Sequence, residues 1–207
     1  MLQILPRSAW AILRSKKCAC GLRNQARSDF HAQLEWKLKE VDRQESKSVY
    51  LSIGSNIEPQ KNLHQAINYL RSYTNVEQIS TAWETPPVGG AGPNFLNAVV
   101  LIRSNRTLEI IKREVIREIE ARLGRIRSTD KYAPRTIDLD ILLYDQDIVE
   151  QQIWTLAHLA VPLAELLPEF VNPNTGETVS EAATRLARHT SIFPRPDVLV
   201  RWISDDR

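Results

Sequence analysis

The sequence predicts an α+β fold: a ferredoxin-like β-α-β-β-α-β antiparallel sheet with helices on one face, plus a C-terminal extension. Two observations carry that expectation. Strand-like and helix-like hydrophobic patterns follow one another in this order from Val49 to Tyr144, and turn or capping residues stand at the junctions. A third sets the scale: 207 residues at 43% hydrophobic content can bury one ordinary core, so a single domain with tails suffices.

The elements are justified in turn. Val49–Ile53 is a short apolar strand, closed by the turn-favouring Gly54-Ser55-Asn56. Pro59 suits a first helical turn, and Leu63, Ala66, Ile67 and Leu70 recur at helical spacing. Val76–Trp83 alternates weakly as one strand, and Phe95–Ile102 is a longer strand that pairs with it. Between them, Thr85 to Pro93 holds three prolines and three glycines in nine residues, a loop stiff at one end and pliable at the other. Thr107 caps a second helix with an apolar stripe of Ile110, Ile111, Val115, Ile119 and Leu123, and Gly124 stops it. Thr136–Tyr144 is the last strand. Beyond it, Leu163–Leu167 reads as one or two helical turns, Ser180–Arg188 as a short helix and Phe193–Pro196 as an extended tail.

Residues 1–47 read as a poorly ordered N-terminal extension with room for a short helix around Leu34, Leu38 and Val41, and residues 48–207 as the folded domain. Lys and Arg outnumber Asp and Glu 27 to 25, but Arg7, Arg14, Lys16, Lys17, Arg23 and Arg27 precede every acid, so the remainder is mildly acidic. An acidic body argues against phosphate-backbone-driven binding of nucleic acid. No apolar run approaches the ~20 residues of a membrane helix. Cys18 and Cys20 lack the four ligands of a zinc site and read as free thiols in a reducing compartment. The expected location is the cytoplasm, or an organelle if the basic N-terminus is a transit peptide; a disordered extension and an upstream start codon stay open as alternatives.

The chemistry is concentrated in RIRSTDKYAPRTIDLDILLY, residues 125–144. Alternation puts Asp138 and Asp140 on one face of a strand and Ile137, Leu139 and Ile141 on the other. Paired carboxylates repel and call for a cation; Mg²⁺ takes one or two carboxylates together with phosphate and water. Arg125, Arg127, Lys131 and Arg135 suit the rest of a polyphosphate. The competing reading is a strand end whose acids simply pair with those arginines.

Five ordered pieces, GSN (Gly54–Asn56), ETPPVG (Glu84–Gly89), FLNAVV (Phe95–Val100), GRIR (Gly124–Arg127) and APRTIDLDILLY (Ala133–Tyr144), resemble the hydroxymethyl-dihydropterin pyrophosphokinase family of the folate pathway, over about Val49 to Glu177. The resemblance implies transfer of pyrophosphate from ATP to 6-hydroxymethyl-7,8-dihydropterin, with two Mg²⁺ ions on Asp138 and Asp140. It implies catalytic roles for these two and for Arg125 and Arg135. ATP contacts are implied for Glu120, Arg125, Arg127, Lys131, Arg135, Ile141 and His158. Pterin contacts are implied for Thr85, Pro86, Val88, Phe95, Asn97 and Tyr132. General chemistry agrees: Asn97 offers a donor and an acceptor to an amide-like ring edge, and a flat ring stacks on Phe95 or Tyr132. The expected partners are small molecules, with no nucleic acid and no membrane, and the expected state is a monomer.

The chain departs from the family pattern in two places. Lys131 and Tyr132 stand where the family usually has Arg and Trp, and Lys cannot make a bidentate fork. After His158, a loop of about a dozen residues in the family is reduced to Leu159-Ala160-Val161 before Pro162, so an Arg directed at ATP and a Phe directed at the pterin have no counterpart. Blander roles compete at single positions: a satisfied strand amide for Asn97, core for Phe95, helix-surface pairing with Arg117 for Glu120, and structure for His158. Two rivals follow, a catalytically weak homologue that binds pterin or nucleotide, and a ferredoxin-like nucleic-acid binder.

Overall fold

The computed structural model describes residues 46–89, 92–126 and 133–203. The basic arm, Cys18, Cys20 and the Leu34–Val41 stripe lie outside the described residues, as do Arg127, Lys131 and Tyr132. The apolar run at Val49 becomes β1 (Lys47–Ser55), flanked antiparallel by β4 (Phe95–Ser104) and β5 (Asp138–Tyr144). A strand apolar on both faces suits that central place. α1 (Pro59–Tyr73) starts on Pro59, where no backbone N–H is needed, and buries Leu63, Ala66, Ile67 and Leu70.

The single strand expected over Val76–Trp83 is two, β2 (Asn75–Ile79) and β3 (Ala82–Thr85), both paired with β4. The break is at Ser80. Its hydroxyl accepts the Val99 N–H at 2.9 Å, replacing a ladder carbonyl, while its own N–H donates to the Val99 carbonyl at 2.9 Å. The next helix, α2, is α-helical over Leu108–Ile110, π-helical over Ile111–Ile116 and α-helical again over Arg117–Arg122. Thr107 caps it, accepting the Ile110 N–H at 3.4 Å, and Gly124 ends it at φ +70°, a conformation glycine adopts without strain. The wide turn brings adjacent Val115 and Ile116 both into the core.

After β5 come the two-residue β6 (Asp147–Ile148), a 3₁₀ turn at Gln151–Trp154, α3 (Ala157–Leu166) and α4 (Val179–Ala187). The few turns expected near Leu163 are instead a ten-residue helix containing Pro162. Proline removes the bond that would reach the His158 carbonyl, but burial of Ala157, Leu159, Ala160, Val161 and Leu163 offsets it. α4 opens with a capping box in which Thr178 and Glu181 satisfy each other's backbone N–H groups. The tail at Phe193 is extended as expected but not loose: β7 (Phe193–Arg195) joins the sheet on β3, an edge where Pro194 is tolerated. α5 (Pro196–Ile203) then sends Val198 and Leu199 into the core.

The sheet order is β6-β5-β1-β4-β3-β7, with β2 also on β4. α1 and α2 pack on one face, against Leu51, Ile53, Val100, Ile102, Leu139 and Ile141. The C-terminal extension covers part of the other, where α3 and α4 bury Leu159, Leu163, Val179 and Ala182 against Tyr50, Val99, Leu101 and Leu142. Beyond the end of that second layer the sheet face opens into a cavity.

Candidate active site

Three strands make the cavity floor. In register across the sheet, Asp138 of β5 faces Gly54 of β1, which faces Asn97 of β4; one step along, Asp140 faces Ser52. The two small residues of β1 leave an open channel between the carboxylates and the amide. The space, about 430 Å³, is walled by Thr85, Pro86, Pro87, Val88 and Phe95 on one side and by Gln152, Leu156, His158 and Leu159 on another. That volume falls within the ~300–1,000 Å³ of small-molecule sites.

The amide end is rigid. Asn97 Nδ2 donates to the buried Thr85 hydroxyl at 2.9 Å, and no described residue donates to Asn97 Oδ1. A Cβ on Gly54 would stand 2.8 Å from that oxygen, so glycine is required by close approach.

The carboxylate end carries uneven charge. Arg125 Nη1 lies 2.6 Å from Asp138 Oδ1, and Arg135 Nη1 donates to Asp138 Oδ2. Arg125 is itself fixed, donating to the Ile137 carbonyl at 2.6 Å with its Nε 3.3 Å from the buried Glu120. Asp140 has no such partner among the described residues. Its rim is open to solvent, yet the enclosed floor raises its pKa to about 6, first by desolvation and then by the charges of Asp138 and Glu120, against the pull of Arg125. His158, in the first turn of α3, lines the cavity; burial lowers its pKa against the opposing effect of Asp138, so the imidazole is neutral at pH 7.

Of the residues expected at the site, Thr85, Pro86, Val88, Phe95, Asn97, Arg135, Asp138, Asp140 and His158 line this one cavity. Arg125 and Glu120 stand behind it, and Glu120 is 4% exposed, which rules out the helix-surface pairing with Arg117. The Ile141 side chain lies in the core beneath α1 and α2, away from the wall. Ser52, Gln152 and Leu156 were not expected, although the strand alternation that aligns the aspartates also aligns Ser52 and Gly54. Asn56 is a further omission. Its Oδ1 accepts the Arg135 N–H at 2.7 Å and its Nδ2 donates to the Pro93 carbonyl at 3.3 Å, joining the cationic segment to the proline loop. No local pattern betrays a bond across 79 residues.

Fold and site together define a kinase-type transferase of the α+β class. The chain belongs to the 7,8-dihydro-6-hydroxymethylpterin-pyrophosphokinase (HPPK) family, whose model matches residues 50–168. It is 36% identical over 149 residues to a 2-amino-4-hydroxy-6-hydroxymethyldihydropteridine pyrophosphokinase of Methylorubrum extorquens, covering 66% of this chain and 92% of that protein. The enzyme of the same name from Haemophilus influenzae is 29% identical over 162 residues, 72% of this chain and 99% of that one. The folic acid synthesis protein fol1 of Schizosaccharomyces pombe is 32% identical over 165 residues, but this chain spans only 22% of its length. A Plasmodium falciparum HPPK-DHPS structure with pteroate shares the fold at TM-score 0.56 and 11% identity, over 70% of this chain and 45% of that one. Among the described residues no helix is long and apolar enough to cross a membrane.

Proposed function

We propose that the protein transfers the pyrophosphoryl group of ATP to 6-hydroxymethyl-7,8-dihydropterin, giving the pterin diphosphate and AMP. The observation that carries this reading is the meeting of the Asp138–Asp140 pair and the Asn97–Thr85 pair in one cavity. Two strand spacings separate Asp138 from Asn97, roughly 10 Å between backbones. A bicyclic ring with a hydroxymethyl arm fills such a span with its amide edge at Asn97 and its hydroxyl near the carboxylates.

Asn97 Oδ1 then accepts from the ring's amino or amide N–H, while Thr85 holds the Asn97 side chain in that orientation. Pro86 and Pro87 give a wall with little conformational freedom to lose, and Phe95 offers an aromatic face. Arg135, which lines the cavity and balances Asp138 in the free protein, is placed to meet phosphate oxygens that gain charge, and Arg125 behind it adds positive potential. The hydroxymethyl oxygen forms the new bond to the β-phosphorus in line, the bond from that phosphorus to the α-phosphate oxygen breaks, AMP leaves, and the hydroxyl proton is released to solvent. No described side chain is placed as a strong base, since His158 is neutral and weakly basic. Positioning and electrostatics carry the rate.

The donor set fits Mg²⁺: two same-face carboxylates, one without a cationic partner among the described residues and with its pKa raised by desolvation and then by neighbouring acids. Asp138 and Asp140 would hold two ions, which supply charge neutralisation to the polyphosphate. We take the enzyme to be a cytoplasmic monomer, organellar if the basic N-terminus is a transit peptide.

The shortened segment after His158 favours a slower variant of this chemistry. It lies inside α3, with Ala160 and Val161 buried, so no loop rises there to meet substrate. Losing one charge-assisted contact and one ring contact weakens the transition state by about 2–4 kcal/mol, roughly one to three powers of ten in rate. Incubation of the purified protein with ATP, Mg²⁺ and the pterin alcohol should release AMP and pterin diphosphate. Binding of both substrates with no AMP would instead identify a non-catalytic homologue.

A further inference from the structure

The wall Thr85–Val88 belongs to a loop whose entry residue, Glu84, is held by the C-terminal tail, beyond the family-matched residues 50–168. Glu84 enters the loop and Asn94 leaves it, and Asn94 Nδ2 donates to Glu84 Oε1 at 2.9 Å. From β7, Arg195 Nη1 donates to Glu84 Oε2 at 2.6 Å. Arg195 is held in turn by Asp197, with Nε and Nη2 each 3.2 Å from a carboxylate oxygen. Main chain adds to this, since β7 pairs Phe193 with Glu84 and Arg195 with Ala82. α5 anchors the tail by burying Val198 and Leu199, and the Val198 carbonyl meets the His64 ring of α1. Further along, Gly89 and Gly92 sit at φ 99° and 111°, and Val88 is 54% exposed.

We propose that Arg195, acting through Glu84, is a positioning residue for the ring-binding wall, an inference that rests on the pterin reading above. The Asn94 bond joins the loop's two ends at Glu84, and the bond from Arg195, between full charges, holds that carboxylate in place. The Thr85 hydroxyl is thereby kept at Asn97 and the Pro86-Pro87 wall is preorganised. The effect is selective for the ring substrate. Arg125, Arg135 and the aspartates are on or beside β5, on the far side of β1 from β3 and β7.

The test compares Arg195→Ala, Arg195→Lys and Glu84→Gln with wild type. Arg195→Ala should raise KM for the pterin alcohol by up to about fivefold, the upper range of a part-exposed ion pair, and leave KM for ATP unchanged. Arg195→Lys should recover most of the loss, because one charged donor remains, and Glu84→Gln, which keeps an acceptor for Asn94, should fall between. Hydrogen exchange at the Thr85, Val88 and Gly89 amides should quicken in Arg195→Ala without any substrate present. A lower Tm with both KM values and the exchange unchanged would reduce the pair to fold maintenance and overturn the proposal. An equal rise in both KM values would overturn it too. If wild type releases no AMP, exchange alone decides: quickening supports the clamp and no change refutes it.

Discussion

Gly54→Ala isolates the close approach of β1 to Asn97. The backbone at Gly54 is ordinary strand, so alanine meets no torsional barrier; the whole penalty is contact. The added Cβ would lie 2.8 Å from Asn97 Oδ1, about 0.6 Å inside the 3.4 Å at which ordinary contact begins. Asn97 has little room to yield, being 7% exposed and bonded to the buried Thr85. Overpacking costs about 1–3 kcal/mol, and a displaced amide forfeits the Thr85 bond at about 0.5–1.5 kcal/mol. A domain of this size loses about 2–4 °C of Tm per kcal/mol. The amide oxygen is also the group assigned to the ring edge, so pterin affinity should fall about tenfold to a hundredfold. Thermal denaturation and calorimetric titration with the pterin alcohol check both figures. Wild-type pterin affinity together with an unchanged Tm would refute the assignment of Asn97 and the tightness of the floor.

Four further outcomes follow from the charges and the second layer. Asp140→Asn should abolish Mg²⁺-dependent AMP release, and AMP formation near the wild-type rate at saturating Mg²⁺ would exclude Asp140 as a ligand. With divalent ions removed, the same variant should melt above wild type at pH 7. A carboxyl whose folded pKa is about 6, above its usual 3.8, subtracts stability as pH rises through that interval. Melting curves should therefore converge near pH 4 and separate by pH 7. Arg125→Ala removes a largely buried cation that faces Asp138 and donates to the Ile137 carbonyl, which should cost about 1–3 kcal/mol, measured by urea unfolding. Inserting a dozen residues between His158 and Pro162 should lower Tm, because Ala160 and Val161 are buried helix residues; an unchanged Tm would show that α3 can start after Pro162.

What the sequence disclosed depended on whether a bond was local. Alternation through Thr136–Tyr144 was enough to place Asp138 and Asp140 together, because strand periodicity is a two-residue property. The same rule applied to Ser52 and Gly54 would have completed the floor. Thr107 and Gly124 marked the ends of α2 through capping chemistry, which spans only a turn. The failures lie where distant segments decide. Pro162 reads as a helix breaker, and only burial against β4 shows why α3 passes through it. Phe-Pro-Arg carries no strand pattern, so β7 exists because β3 offers an unpaired edge. Ser80 reads as strand until its hydroxyl finds Val99.

The central place of β1 has a consequence for how the molecule is assembled. β1 is made before the partners on either side of it, and its contacts with β5 span 88 residues at Ser52 and Asp140. Such distant pairings are slow to form. Until β4 and β5 arrive, β1 is a nascent edge, apolar from Val49 to Ile53 on the side that α1 and α2 will later cover. Edges of that kind recruit other chains. Truncation after Gly124 should thus yield aggregates rather than a half-built binding pocket.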